Sequence, residues 1–140
     1  ILARADIKSM KKKINSKIKF REKFRPFAPA ALYSFVKKYG ISKEFPYMTI
    51  ACFPNKDLKK RMIEAVHNDG STRIQTIKDK SHPLHDLLIE IEKNGRDPVV
   101  INTSFNLSGE PIVESPRDAI RTFMSCGIDS LYIENYKILK

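Results

Sequence analysis

The spacing of hydrophobic positions along the chain changes between the period of a helix and that of a strand. Helical spacing over residues 6–18 predicts a first helix, with Asp6 available as its cap. Ser115 followed by Pro116 is typical of a helix start, with the serine as N-cap and the proline in the first turn. Further helices are expected over residues 30–39, 57–65, 81–92 and 116–126.

Short runs rich in β-branched and aromatic residues, bounded by turn residues, predict strands. These runs occupy residues 47–53, 73–77, 99–102 and 130–133. The sequence His67-Asn-Asp-Gly70 is a strong turn signal in front of the second run. Because helices and strands mix throughout and no linker interrupts them, we expect one compact α/β (α+β) domain over residues 1–140.

Aromatic and basic residues alternate between the first predicted helix and the second. Phe20, Phe24 and Phe27 are interleaved with lysines and arginines, while Pro26 and Pro29 prevent a regular helix. We therefore expect a rigid loop that is anchored by buried aromatic rings and projects basic side chains.

Composition favours a globular protein, with 41% hydrophobic residues among 140. No apolar run reaches the length of a membrane-spanning helix, and no signal-peptide pattern opens the chain. Cys52 and Cys126 match no metal-ligand spacing, so we expect no metal site and interpret both as buried thiols in a reducing cytoplasm. Because the chain begins with Ile1 rather than methionine, we expect it to be an excised part of a longer protein.

The chain carries a formal net charge of +10, and the excess is concentrated in the first 61 residues. A field of this sign attracts polyanions, so nucleic acid has to be considered beside nucleotide phosphates. For the lysines between Lys8 and Lys17 we favour a solvated helix face, because charge runs on helices usually face solvent.

Polar groups follow the buried run Val99-Val-Ile101. Asn102, Thr103, Ser104 and Asn106 offer hydroxyls, amides and backbone N–H groups that suit phosphate or carboxylate oxygens. Gly109-Glu110 follows within the same loop. An ordinary strand-to-loop turn is the alternative, since the same residue types form turns.

Two further clusters are candidates for chemistry. In an extended segment Lys19 and Arg21 would lie on one side and could converge on an anion, with Arg25 close behind. His67 precedes Asp69-Gly70 and Arg73 in the other cluster. Each cluster also has a structural interpretation, as surface charges in the first case and as a capping histidine in the second.

Taken together, the clusters resemble a known family. The pair Lys19-x-Arg21 followed much later by Ser104-x-Asn106 is similar to the nucleotide-site signature of YrdC-like domains. The ordered motifs around them resemble the C-terminal domain of NodU/TobZ-type O-carbamoyltransferases over essentially the whole chain. These motifs are Ile1-Leu-Ala3, Lys17-Ile-Lys-Phe-Arg-Glu22, Phe24-Arg-Pro-Phe-Ala-Pro29, Pro46-Tyr-Met48, His67-x-Asp-Gly70 with Arg73-x-Gln-Thr76, Asn102-Thr-Ser-Phe-Asn106, Gly109-Glu-Pro-Ile-Val113, Asp118-Ala119 and Gly127-Ile-Asp129.

The resemblance implies a YrdC-like fold with a twisted mixed sheet flanked by helices. It implies binding of ATP and carbamoyl phosphate to form carbamoyl-adenylate, from which an N-terminal actin-like-fold domain, absent here, transfers the carbamoyl group to an acceptor hydroxyl. Mg²⁺ would arrive with ATP, whereas iron or another metal would belong only to that absent domain. Complete transfer by these 140 residues alone is not expected.

The resemblance also implies roles for individual residues. Lys19, Arg21, Ser104 and Asn106 are the expected catalytic set, and substrate binding is expected from Arg25, His67, Arg73, Thr103 and Glu110. Ser108 departs from the pattern, because relatives often carry a basic residue there.

Two other functions compete with this interpretation. A basic nucleic-acid-binding module would explain the charge, although the aromatic residues look buried and no RNA-binding signature is present. A scaffolding domain without catalysis is the other alternative, and retention of the Lys-x-Arg and Ser-x-Asn pairs disfavours it. We expect no membrane partner and a cytoplasmic location.

Overall fold

The computed structural model describes residues 1–140, and it combines a mixed four-stranded sheet, a two-stranded sheet and helices. This confirms the predicted α/β class. The strands are β1 (Leu2–Arg4), β2 (Ala28–Leu32), β3 (Gln75–Ile77), β4 (Val99–Asn102), β5 (Ser130–Ile133) and β6 (Tyr136–Leu139). The helices are α1 (Met10–Lys17), α2 (Tyr33–Lys37), α3 (Lys56–Arg61), α4 (His85–Lys93) and α5 (Pro116–Met124), with a 3₁₀ turn at Ile63–Ala65.

The chain divides into two compact units, each built from two segments. The first unit comprises Ile1–Met10 and Pro26–Thr103, and the second comprises Lys11–Arg25 and Ser104–Lys140. The single domain predicted over residues 1–140 stays a prediction.

The first unit contains the four-stranded sheet in the order β1-β4-β2-β3. Strand β4 pairs antiparallel with both β1 and β2, and β2 pairs parallel with β3. All of β2 is buried, and helices α2 and α4 contact it. Pro29 lies inside β2, but pairing with β3 begins only at Ala30, so the missing proline N–H removes no bond from that pair.

The second unit places α5 against the β5–β6 hairpin. Ala119 and Phe123 of α5 and Leu131 of β5 form its buried core. Partly buried hydrophobic side chains surround them, namely Phe105, Val113, Ile128, Ile133 and Ile138. This apolar contact anchors the loop that follows Ser104, since Phe105 and Val113 lie at its two ends and are joined by a backbone hydrogen bond of 2.9 Å.

Several predicted elements are confirmed. Strands β4 and β5 have the predicted bounds, and α3 with its 3₁₀ turn occupies the expected stretch. Ser115 caps α5 as predicted, since its Oγ accepts the Asp118 backbone N–H at 3.2 Å and Pro116 follows in the first turn. Lys8, Lys12 and Lys17 are exposed, as expected for a solvated face.

Other predictions are wrong. Helix α1 begins at Met10 rather than near Asp6, because Asp6 forms hydrogen bonds of 3.0 and 2.5 Å with the Arg4 guanidinium instead of capping the helix. Residues 28–32, assigned in part to a helix, form β2. Residues 47–53 form no strand beyond an isolated bridge between Cys52 and Thr72.

The two cysteines are free thiols. Cys126 is buried as predicted, whereas Cys52 is only partly buried. Burial nevertheless raises the pKa of the Cys52 thiol above its ordinary value. Among the helices, none has both the length and the apolar character needed to cross a membrane.

Candidate functional site

Lys19 lies at the centre of a polar cluster in the second unit, which it forms with Ser104 and Asn106. Its side chain follows the end of α1 and is only 4% exposed. The Nζ atom donates to Ser104 O at 2.6 Å, Asn106 O at 3.0 Å, Asn106 Oδ1 at 2.7 Å and Ser104 Oγ at 3.1 Å. The structure therefore brings together three residues of the predicted catalytic set, although 85 positions separate Lys19 from Ser104.

All four of these acceptors are neutral oxygens, so no carboxylate compensates the ammonium charge through them. Burial lowers the pKa of Lys19 to about 8, and the nearby Arg21 guanidinium adds to that decrease. A buried cation next to a second cation is a favourable place for an anionic group, because an anion would relieve both the desolvation and the repulsion.

Ser104 and Asn106 hold each other in place. The Ser104 hydroxyl donates to Asn106 Oδ1 at 2.6 Å, and Asn106 Nδ2 donates to the Glu110 backbone carbonyl at 2.8 Å. Glu110 thus contributes through its backbone carbonyl, and the residue itself is exposed. The loop after β4 is consequently ordered by its own polar side chains together with Lys19.

Asn15 holds Arg21 in place through two hydrogen bonds. The Arg21 Nε donates to Asn15 Oδ1 at 2.8 Å, and the Arg21 backbone N–H donates to Asn15 O at 3.0 Å. Burial lowers the pKa of Arg21, and the neighbouring Arg25 contributes to the decrease. Lys19, Arg21 and Arg25 therefore form a linked group of cations in the second unit.

The extended geometry expected for Lys19 and Arg21 is wrong. Phe20, between them, has a φ of 47°, which is the left-handed conformation that a bulky residue rarely adopts. The backbone turns because the Lys19 N–H bonds to Ile14 O at 2.8 Å and the Arg21 N–H bonds back to Asn15. The two cations are brought near each other by this turn at the end of α1 rather than by the alternation of a strand.

The predicted aromatic anchoring is correct for one residue only. Phe27 is 3% exposed, whereas Phe20 is 55% and Phe24 is 70% exposed. The buried anchor of the loop is instead Asn15, whose amide Nδ2 donates to Arg25 O at 3.1 Å and Lys23 O at 3.4 Å. Sequence reasoning missed Asn15, although a polar residue beside the apolar Ile14 and Ile18 is a signal worth testing.

His67 lies in the first unit, in the turn that its motif predicts. The Gly70 N–H donates to His67 O at 2.9 Å, and the His67 N–H donates to Ser71 O at 2.8 Å. The Ser71 hydroxyl lies 2.7 Å from Asp69 Oδ1 and 3.1 Å from His67 Nδ1. Hydrogen bonds from Ser71 hold the pKa of the Asp69 carboxyl below its ordinary value, so that carboxyl accepts the single hydroxyl proton.

This arrangement favours one tautomer of His67. Because Ser71 Oγ donates to Asp69 Oδ1, its lone pairs are left to accept from a proton on His67 Nδ1. Arg73, two residues beyond Ser71, is exposed. Thr103 closes the first unit at the end of β4, where its N–H donates to Ile1 O at 3.0 Å.

The predicted site residues are thus distributed over both units. Lys19, Arg21, Arg25, Ser104, Asn106 and Glu110 belong to the second, while His67, Arg73 and Thr103 belong to the first. No group of three or more His, Cys, Asp or Glu side chains is arranged to hold a metal ion. The polar cluster of the second unit offers cations, amides and a hydroxyl, which are groups that bind phosphate and carboxylate oxygens.

The model of a known family, described as carbamoyltransferase C-terminus, matches residues 1–140. This chain belongs to the carbamoyltransferase C-terminal domain family. The family expected from the ordered motifs along the whole chain is thereby confirmed.

Relatives of known sequence agree with that assignment. An uncharacterized protein of Methanocaldococcus jannaschii is 44% identical over 136 residues, which covers 95% of this chain and 26% of the relative. The nodulation protein NolO of Bradyrhizobium diazoefficiens is 34% identical over 136 residues, covering 93% of this chain and 25% of the relative. Nodulation protein U of Rhizobium tropici is 40% identical over 111 residues, which covers 78% of this chain and 19% of the relative. The chain therefore spans about a quarter or less of the length of these relatives.

Proposed function

We propose that this chain is the adenylate-forming part of a carbamoyltransferase, binding ATP and carbamoyl phosphate to make carbamoyl-adenylate. The observation that supports the proposal is the buried Lys19 ammonium, held against Ser104 and Asn106 beside Arg21. An N-terminal domain of the same full-length protein would then pass the carbamoyl group to an acceptor hydroxyl.

The chemistry suits a cluster of cations and amides. Water hydrolyses carbamoyl phosphate to carbamate and inorganic phosphate. A carbamate oxygen then attacks the α-phosphorus of ATP. A new O–P bond forms, the bond between the α- and β-phosphates breaks, and pyrophosphate leaves. Catalysis of such a step is chiefly positioning and charge neutralisation, so the chain needs no covalent nucleophile.

Lys19 has a particular place in this scheme. An ammonium group has three N–H donors, and Lys19 faces four oxygens, so one N–H is shared between two acceptors. Ser104 Oγ is the most distant of the four, at 3.1 Å, and a phosphate oxygen could replace it without loss of the other three contacts. Lys19 would therefore shape the loop and neutralise charge, while Arg21 and Arg25 bind phosphate oxygens.

The remaining predicted residues have supporting roles. Ser104 and Asn106 would present a hydroxyl and an amide to the phosphates or the carbamoyl group. Substrate binding by His67, Arg73 and Thr103 stays a prediction, and Glu110 would hold Asn106 through its carbonyl. Mg²⁺ would enter with ATP, iron or another metal would act only in the N-terminal domain, and the reaction would take place in the cytoplasm.

The proposal is tested by carbamoyl-phosphate-dependent release of pyrophosphate from ATP in the full-length protein. Lys19→Ala and Arg21→Ala should each lower the rate by at least about a hundredfold, because both remove charge from the site. Lys12→Ala is the matched control, since it removes an exposed cation of α1. Pyrophosphate release at the normal rate by folded Lys19→Ala and Arg21→Ala proteins would refute the proposal.

A nucleic-acid-binding function gains one argument from the structure. The expectation that the loop aromatics are buried, which counted against it, is wrong for Phe20 and Phe24. Exposed rings beside arginines can stack on bases. This second function predicts that a single-stranded RNA binds with a steep dependence on salt and displaces ATP, whereas adenylate formation predicts saturable ATP binding that RNA does not displace.

A further inference from the structure

We propose that Asn15 is a positioning residue of the anion site, acting through Arg21. The inference rests on the proposed function, because it concerns the same phosphate-binding cations. It adds a buried residue of α1 that would act on substrate binding only through another side chain.

Asn15 is fully buried, with 0% of its surface exposed. Asparagine is a poor helix former, and a buried amide loses its hydration, so a hydrophobic residue would be favoured here on packing grounds alone. The amide is instead used completely by hydrogen bonds that run to one segment, residues 21–25.

The hydrogen bonds allow only one orientation of the amide. The Arg21 Nε is only a donor, so it requires Oδ1, and the carbonyls of Lys23 and Arg25 are only acceptors, so they require Nδ2. Reversing the amide would break the 2.8 Å contact with Arg21 and the 3.1 Å contact with Arg25 O.

Arg21 is held at two points by this single residue. Its backbone N–H donates to Asn15 O at 3.0 Å, and its side-chain Nε donates to Asn15 Oδ1. The backbone contact fixes the turn after the left-handed Phe20, and the side-chain contact fixes the plane of the guanidinium. A guanidinium binds two phosphate oxygens well only when its plane is correctly oriented, which is the contribution we assign to Asn15.

The experiment is a double-mutant cycle on binding of ATP–Mg²⁺ to the full-length protein, measured by calorimetry. Asn15→Leu removes all side-chain hydrogen bonds while keeping the branched shape of the side chain, and it should weaken binding by about tenfold. Arg21→Ala should weaken it at least as much. The double variant should bind no more than about twofold more weakly than Arg21→Ala alone, because Asn15 has nothing left to position.

A matched control separates positioning from loss of stability. Thr72 is also fully buried, and its hydroxyl donates one hydrogen bond of 2.8 Å to Ala65 O in the first unit. Thr72→Val should lower the melting temperature as Asn15→Leu does, yet leave the ATP dissociation constant within about twofold of the parent protein. If Asn15→Leu does not fold, Asn15→Ala replaces it in the same cycle.

The outcomes separate this inference from the proposed function. Normal ATP affinity in Arg21→Ala would overturn the proposed function and this inference with it. Weak binding by Arg21→Ala but normal binding by a folded Asn15 variant would overturn the inference alone. Independent, multiplying effects of the two substitutions would also overturn it, since Asn15 would then not act through Arg21.

Discussion

Burial of one lysine among neutral oxygens is the most consequential feature at the scale of single residues. The Lys19 ammonium is 4% exposed, and the hydrogen bonds described for it are to two serine and two asparagine oxygens. Removing a cation from water is unfavourable, and the nearby Arg21 adds repulsion. None of these four contacts neutralises the ammonium charge, so an anion bound beside it would be stabilised.

Binding of ATP should depend on pH through Lys19, whose pKa is lowered to about 8. As the pH rises through this value, the side chain loses its charge and one of its N–H donors, so ATP affinity should fall. Calorimetry between about pH 7 and 9 measures the effect. Lys19→Met should bind ATP more weakly at every pH and lack this titration, and an identical pH profile in that variant would contradict the assignment.

Stability should respond to the same group with the opposite sign. The pKa of Lys19 is about 8 in the folded protein and near the ordinary lysine value of 10.5 when unfolded, so the unfolded state binds more protons between these values. The free energy of unfolding of the parent protein, relative to Lys19→Met, should therefore increase as the pH rises from 8 to 10.5. Denaturant titrations of both proteins at the two ends of that range measure the difference, and a decrease would contradict it.

Individual elements are defined by caps and turns whose residue types have clear physical reasons. Helix α5 begins at a serine cap followed by proline, and α3 begins at Asn55, whose Oδ1 accepts the Leu58 N–H at 2.9 Å. The turn that carries His67 depends on Gly70, which has a φ of 83°. These caps and turns determine where the helices begin and where the chain changes direction.

Removal of the α5 cap should destabilise the protein. Ser115→Ala loses the 3.2 Å bond from the Asp118 N–H and the 2.5 Å bond to Asp118 Oδ2, at a cost of about 1 kcal/mol. Ser115→Asn, which preserves an acceptor, is the control and should recover most of the loss. Thermal unfolding measures both, and equal melting temperatures for the alanine variant and the parent would show that the cap is unimportant.

The Ser115 hydroxyl is also the main cause that lowers the pKa of the Asp118 carboxyl. A depressed carboxyl pKa stabilises the protein above the unfolded value of 3.8, and the contribution disappears as the pH falls further. The difference in stability between the parent and Ser115→Ala should therefore be smaller at pH 3 than at about pH 7.

Substitution of Gly70 tests the turn that presents His67. A Cβ at Gly70 would lie 2.7 Å from Lys59 Nζ, which is the movable end of a long side chain, so the left-handed backbone sets most of the cost. Gly70→Ala should destabilise by about 1–2 kcal/mol. Gly40→Ala is the matched control, because Gly40 has a φ of 88° and nothing within 4 Å of an added Cβ. A cost at Gly70 well below that at Gly40 would contradict this account of the turn.

The whole molecule is strongly basic, with a net charge of +10, yet the proposed anion site is a local structure. The exposed lysines of α1 raise the general field, which attracts any polyanion and is screened by salt. Two of the cations proposed for the site differ from them, because Lys19 is buried, Arg21 is partly buried and held by Asn15, and the two repel each other.

Charge reversal on α1 separates these two contributions. Lys12→Glu changes the net charge by two at an exposed position, and it should alter ATP affinity by no more than about twofold at physiological salt, where the Debye length is about 8 Å. Binding to a single-stranded RNA, if it depends on the general field, should weaken more than that. A loss of ATP affinity comparable to that of Arg21→Ala would show that the field, rather than the site, binds the nucleotide.

The family, the α/β class and the elements with strong local signals follow from the residue types along the chain. Strand β4, strand β5 and the cap of α5 were predictable because a β-branched run or a Ser-Pro pair acts within a few residues of itself. The motifs Lys19-x-Arg21 and Ser104-x-Asn106 were also recognisable, since the residue types alone carry the resemblance.

Which side chains are buried, and what they contact, depends on how the chain packs in three dimensions. Strands β1 and β6 are three and four residues long, and they exist through pairing with partners that local propensity does not reveal. Lys19 reaches Ser104 across 85 positions, Asn15 organises a loop outside its own helix, and two aromatic residues expected inside are exposed. Burial and hydrogen bonding between distant segments depend on the packed chain, so a local pattern cannot specify them.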